Sequence, residues 1–278
     1  MIFRNTLKFV AIFSVASLVL VGCVPTPPEP VTPDASGAPA EFSAYYEQVA
    51  EFEECGTRLY CADIDVPMDW SDPTSEAISI ATVFRQADSD PKGFILFNPG
   101  GPGASGYDWV KDSSEFLGTK ALRADWNILG FDPRGVGRSS AVWCLSDSEY
   151  DEFLYGVSGS DIGTEEDIAA AREATEDFAN KCLENTGPLL EFVDTVSAAK
   201  DMDVLRAVIG QSKLNFLGYS YGSFLGTTYA TLFPERVGRF VLDGAIDPTV
   251  SDFEQTLFQI EAFESAPVSY THLTLPTT

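Results

Sequence analysis

The chain has 278 residues, 45% of them hydrophobic, and carries 17 Lys and Arg against 42 Asp and Glu, a net charge of −25. That apolar fraction excludes a disordered chain and suffices for one large α/β domain or two small ones. The acidic balance argues against a nucleic-acid partner, which needs basic patches. One histidine beside five cysteines leaves no Cys/His spacing for a metal, and no cofactor is expected.

Residues 1–22 read as an export signal. Arg4 and Lys8 supply a basic start, and the apolar run 9–21 is short for a membrane span. It ends in Leu20-Val21-Gly22-Cys23, which resembles the lipobox of bacterial lipoproteins. There the chain is cut before the cysteine, whose sulfur carries a diacylglycerol. Cys23 would then anchor the protein through lipid to the outer face of a bacterial cell membrane; a plain secretory signal is the alternative. Residues 23–41, rich in Pro, Ala and Thr, read as an extended tether. The remaining four cysteines are an even set in an exported chain, and proximity pairs Cys55 with Cys61 and Cys144 with Cys182. Four buried free thiols are the alternative.

Residues 42–54 are expected to be helical, with Tyr45, Val49 and Phe52 on one face. Residues 61–66 and 77–85 alternate apolar and polar side chains, as half-buried strands do. Residues 93–97 (GFILF) are a continuous apolar run, suited to a central parallel strand. The loop that follows, residues 98–106 (NPGGPGASG), is too rich in Gly and Pro for helix or strand. Such a loop brings backbone N–H groups close to a ligand. Pro102 has no N–H, so the donor is sought among Gly100, Gly101 and Gly103. A phosphate-binding loop competes, but no Gly-Lys-Ser/Thr follows.

Residues 126–130 form the next buried strand and lead into residues 132–139 (DPRGVGRS). This reads as a turn in which Asp132 pairs with Arg134 or Arg138 in a structural role. Residues 164–182 and 196–209 are expected as amphipathic helices, the second with Ala199, Met202, Leu205 and Ile209 aligned. A short strand at 214–217 and a helix at 221–233 enclose Gly218-Tyr219-Ser220-Tyr221-Gly222. In a G-x-S-x-G of this context, the serine sits on a tight strand-to-helix turn with its hydroxyl toward a cleft. The Tyr221 N–H, at the helix start, faces any negative charge that develops on a substrate. An ordinary serine at a helix N-terminus is the alternative. Residues 239–242 form one more strand, closed by Asp243-Gly244, and residues 252–264 follow as a helix with Phe253, Leu257, Ile260 and Phe263 aligned.

Strands followed by strand–loop–helix units, with motifs at strand carboxyl ends, give a mostly parallel, doubly wound α/β sheet. Residues 98–106, 131–139 (FDPRGVGRS), 217–222 (LGYSYG), 233–238 (FPERVG) and 241–248 (VLDGAIDP) occur in that order. The set resembles the secreted α/β-hydrolases of the tripeptidyl aminopeptidase and prolyl aminopeptidase group, over residues 55–248. The resemblance implies an α/β-hydrolase fold with Ser220 as nucleophile. Its oxyanion would be held by the Tyr221 N–H and by the Gly100–Gly101 turn, through the Gly101 N–H. It further implies a peptide substrate from whose free N-terminus short peptides or single residues are released. An esterase or lipase on the same scaffold, and a non-catalytic surface lipoprotein, are the other readings.

A serine nucleophile needs a base and an orienting carboxylate, in the chain order Ser, Asp or Glu, His. His272 follows Asp243 too closely to accommodate the two βαβ units, of about 30 residues each, that would precede the usual histidine. Residues 42–250 are therefore expected to be the N-terminal part of the core, and 251–266 the start of a lid helix. Residues 267–278 resemble translated sequencing-adapter DNA, a non-native tail. On this expectation the triad Asp and His are missing, the fragment is inactive, and the strand ending at Leu242 is an open edge.

Overall fold

The computed structural model describes residues 30–156 and 159–274, except for the side chains of residues 252 and 267–274. The export signal, Cys23, the first part of the tether and the imidazole of His272 lie outside the described residues. Seven strands form one sheet: β1 (Glu53–Gly56), β2 (Leu59–Pro67), β3 (Ala77–Arg85), β4 (Phe94–Asn98), β5 (Asn127–Phe131), β6 (Leu214–Tyr219) and β7 (Val237–Asp243). Their spatial order is β1-β2-β3-β5-β4-β6-β7. The first three pair antiparallel and β3 meets β5 antiparallel, whereas β5, β4, β6 and β7 are parallel. The helices are α1 (Ser43–Tyr46), α2 (Gly106–Ser113), α3 (Lys120–Asp125), α4 (Asp147–Tyr155), α5 (Glu165–Thr186), α6 (Thr195–Val208), α7 (Tyr221–Leu232) and α8 (Asp252–Thr274).

The apolar run of β4 explains the layering. Every residue of that strand is buried. Phe94 and Leu96 join a core with Met202 and Leu205 of α6 and Leu225 and Tyr229 of α7. Ile95 and Phe97 join a second core with Tyr107 and Val110 of α2. A strand covered on both faces needs apolar side chains at every position, which is why it shows no alternation. The chain leaves β4 for β5 on one side and later returns to β6 on the other. The carboxyl ends of β4 and β6 thus flank the switch point, where sheets of this kind open a crevice.

Three expectations are corrected. Residues 42–54 are helical only in α1, after a 3-10 turn at Ala40–Phe42. The Gln48 side chain donates to Asp65 O at 2.8 Å and accepts from Asp65 N at 3.0 Å, and the Phe52 ring meets Phe84 edge-on at 4.9 Å. Tertiary partners on the sheet outweigh the helical period there. The helix expected to end at 264 continues to Thr274 across the boundary drawn at 266. The tether is not free up to residue 41. Asp34 N–H donates to Ala207 O at 2.8 Å, Arg206 Nη1 donates to Asp34 O at 3.3 Å, and Arg236 Nη2 donates to Gly37 O. Ala35 and Ala38 pack against the core. Arg206 and Arg236 are both held by the buried Asp203 carboxylate, which also accepts from Tyr229 Oη at 3.0 Å.

Residues 132–139 form the expected turn, but its two arginines part company. Arg138 is the partner of Asp132, through its own N–H at 3.0 Å. Arg134 reaches α6 instead, donating from Nε to Asp201 Oδ2 at 2.7 Å and from Nη2 to Asp201 Oδ1 at 2.6 Å. Both side chains are 1% exposed. The remaining guanidinium protons go to Pro67 O, Met68 O and Phe192 O at 3.0, 2.8 and 3.2 Å, and Trp70 Nε1 donates to Asp201 at 2.9 Å. Burial pushes the Asp201 carboxyl above the ordinary carboxylate range, and the Arg134 bonds draw it back.

Asp201→Ala leaves a buried guanidinium without its counter-charge and is expected to cost about 3–5 kcal/mol, read as a lowered denaturation midpoint. Arg236→Ala removes a charge-assisted bond and the clasp on Gly37. It is expected to cost about 2 kcal/mol and to speed hydrogen exchange at the Asp34 amide ahead of the strands.

Candidate active site

Ser220 lies between β6 and α7 with φ 51° and ψ −121°. A non-glycine residue there costs on the order of 1–3 kcal/mol, and the surroundings must hold it. Three bonds do so. Ser220 N–H donates to Asp243 O at 2.8 Å, Ser223 N–H donates to Ser220 O at 2.8 Å, and Ser223 Oγ donates to the same carbonyl at 2.6 Å. The Ser223 hydroxyl in turn accepts from Ile246 N–H at 3.0 Å, tying the bend to the segment after β7. The Ser220 side chain caps nothing and is exposed, which sets it apart from an ordinary N-cap serine. The glycines two residues away are required by contact, since a Cβ on Gly218 would stand 2.4 Å from Gly222 O.

The loop after β4 reaches this bend. A Cβ on Gly100, whose φ is +98°, would lie 2.5 Å from Tyr219 O, 3.1 Å from Ser220 Cβ and 3.1 Å from Tyr221 N. Glycine is the residue that permits so close an approach. The Gly100 N–H, however, is spent on Asn98 Oδ1 at 2.9 Å, so Gly100 serves as the contact and not as a donor. This corrects the expectation that its amide faces a substrate. Gly101 is exposed, and among the described residues neither its N–H nor that of Tyr221 has an acceptor. The Tyr221 amide is one of the orphan donors that every helix start leaves.

The far end of the loop is also pinned. Ser105 accepts from Asp108 N–H at 2.9 Å as the N-cap of α2 and donates to Asp132 Oδ1 at 2.5 Å. Asp132 is wholly buried. Beside the loop lies a cleft of about 380 Å³, bordered by Asn98, Pro102, Val136, Val193 and Tyr221. The Tyr221 hydroxyl shares a 2.7 Å bond with Thr195 Oγ1 in its wall, and burial raises its pKa. A larger groove of about 660 Å³ runs between α4 and α5, but none of its lining residues comes from the strand ends that meet at Ser220.

The other residues singled out in the sequence are placed as follows. Cys55 is bonded to Cys61, with Cα atoms 5.9 Å apart, and Cys144 to Cys182. The second bond ties the base of α4 to the end of α5. Asp243 meets the bend through its backbone carbonyl. Among the described side chains there is no histidine and no group of ligands arranged to hold a metal. No helix of the described residues is long and apolar enough to cross a membrane. The roles of Asn98 and Ser223 were not legible in the sequence: Asn98 opens the 98–106 motif but acts through the Gly100 N–H, and Ser223 acts through Ser220 O and the Ile246 N–H.

The chain is similar to several curated bacterial hydrolases. The chain is 35% identical over 271 residues to the serine protease Hip1 of Mycobacterium tuberculosis (strain ATCC 25618 / H37Rv), covering 96% of this chain and 51% of that protein. It is 34% identical to the tripeptidyl aminopeptidase of Streptomyces lividans over 83% of this chain and 45% of that protein. Carboxylesterase B of Mycobacterium tuberculosis (strain ATCC 25618 / H37Rv) is also 34% identical, over 86% of this chain and 46% of that protein. The chain thus spans about half the length of the curated relatives it matches. The model of the alpha/beta hydrolase fold matches residues 93–265, which take in the loop, the bend and both flanking strands; the chain belongs to the α/β-hydrolase family.

Proposed function

We propose that the protein is a serine hydrolase, and within that class an exopeptidase that releases short peptides or single residues from free N-termini. The observation that carries the reading is the bend itself. Ser220 has an uncommitted hydroxyl on a left-handed backbone, and two amides without acceptors flank it on separate segments. In this mechanism Ser220 Oγ attacks the scissile carbonyl carbon, and its proton passes to a base that no described side chain supplies and that hands it on to the departing amine. The carbonyl oxygen gains negative charge as the tetrahedral adduct forms. The N–H groups of Gly101 and Tyr221 donate to that oxygen, at the positive end of α7. Collapse of the adduct expels the amine, and water then releases the acyl group.

The relatives named as a serine protease and a tripeptidyl aminopeptidase support peptide over ester substrates. The relative named as a carboxylesterase supports the second reading, an esterase on the same scaffold. Lipidation at Cys23 and export to the outer membrane face belong to the same proposal. With residues 31–38 held by α6 and by Arg236, the linker to such an anchor would be residues 24–30, which span at most about 25 Å when extended. The catalytic domain would therefore sit close to the lipid surface.

The test uses the whole protein encoded by the reading frame that contains these residues, so that a base is present, with a fluorophosphonate probe and peptides bearing free or acetylated N-termini. Ser220 is expected to be labelled, and Ser220→Ala to fall to the residual catalysis of about 10³–10⁴ over water that binding and an oxyanion hole alone provide. Peptides with free N-termini are expected to be cleaved and their acetylated forms spared. Turnover of simple acyl esters without peptide release would favour the esterase, and an unlabelled Ser220 would contradict both readings.

A further inference from the structure

Asn98 closes β4 and pairs with Gly218 of β6 in the sheet ladder. Its side chain is fully buried and borders the cleft beside Ser220. Oδ1 accepts from the Gly100 N–H at 2.9 Å, a bond from a side chain to the backbone two residues on, which is the Asx-turn that asparagine forms readily. The same residue lies against the other arm of the site: a Cβ on Gly222 would meet Asn98 O at 2.6 Å and Oδ1 at 2.9 Å. The amide nitrogen Nδ2 is buried and has no partner.

These contacts bear differently on stability and on the site. A buried donor without an acceptor is unfavourable to folding, so half of this side chain works against the fold. The other half takes up the Gly100 N–H and turns the following peptide. That turn leaves the Gly101 N–H without an internal acceptor while Gly100 stays against Ser220 and Tyr221. Asn98 is therefore wedged between the two segments that carry the free amides, touching both.

We propose that Asn98 is a positioning residue for the oxyanion site: it sets the spacing and direction of the Gly101 N–H relative to the Tyr221 N–H by holding the Gly100 turn. The inference rests on the reading of Ser220 as nucleophile. It makes no use of a bond from Asn98 to substrate; the residue acts through the loop backbone.

The test compares Asn98→Ala and Asn98→Ser in the same whole protein, with its base present. Alanine removes the acceptor for Gly100 N–H, whereas the serine hydroxyl can form the same i to i+2 turn, though more weakly. Asn98→Ala is expected to lower kcat about 10²-fold, the scale of a misplaced reacting group, with KM within about twofold. Asn98→Ser is expected to recover to within about tenfold of wild type. The melting temperature is expected to change little in either variant, because losing the unpartnered buried Nδ2 opposes the loss or weakening of the Gly100 bond. Equal losses in the two variants, an unaffected kcat in Asn98→Ala, or a loss confined to KM and melting temperature would overturn the proposal while leaving Ser220 intact. Turnover that survives Ser220→Ala would instead overturn the reading on which it rests.

Discussion

The backbone of Gly100 rests directly on the bend at Ser220, and most of what the protein can do depends on that contact. It joins two strand ends that are distant in sequence and adjacent in the sheet, because β4 and β6 are parallel neighbours on either side of the switch point. Any side chain at position 100 would drive the segments apart. With glycine there, the loop after β4 lies against the bend that carries the exposed Ser220 side chain. The strained backbone at Ser220 persists because Asp243 and Ser223 hold the turn from both sides.

The surrounding structure can be read as support for that contact. Asn98 and Ser105 pin the loop at its two ends, the first through Gly100 N–H and the second through the buried carboxylate of Asp132. The turn carrying Asp132 is itself held to α6 by Arg134 and Asp201. Further along α6, Asp203 and Arg206 clasp the N-terminal segment. A chain of polar contacts therefore runs from the N-terminal strap through α6 and the 132–139 turn to the loop beside Ser220. Burial makes each link sensitive to loss of its partner, because an unpaired charge in a dry interior is costly.

Much of this was legible because it is local. β3 begins and ends where the alternation of apolar and polar residues predicts, at Ala77 and Arg85. The bend at Ser220 was visible from a glycine on each side and a change of period from strand to helix. What was not legible depends on partners far along the chain. Whether Asp132 takes Arg134 or Arg138 turns on Asp201, 67 residues from Arg134. The helix expected at 42–54 gives way because Gln48 and Phe52 find the sheet. A Pro- and Ala-rich stretch looks like a free tether by composition, yet two arginines of the helical layer hold its second half. The Gly100 amide was counted as a donor because Gly and Pro content reveals where a loop bends and not which way each N–H points.

The convergence of the Gly101 and Tyr221 amides on one oxygen is the central claim, and a crystal structure of the full chain with a phosphonate bonded to Ser220 Oγ tests it most directly. The account predicts a phosphonyl oxygen about 3 Å from both backbone nitrogens, with the Asn98 to Gly100 bond retained. A phosphonyl oxygen turned to solvent, or held by only one of the two amides, would contradict it.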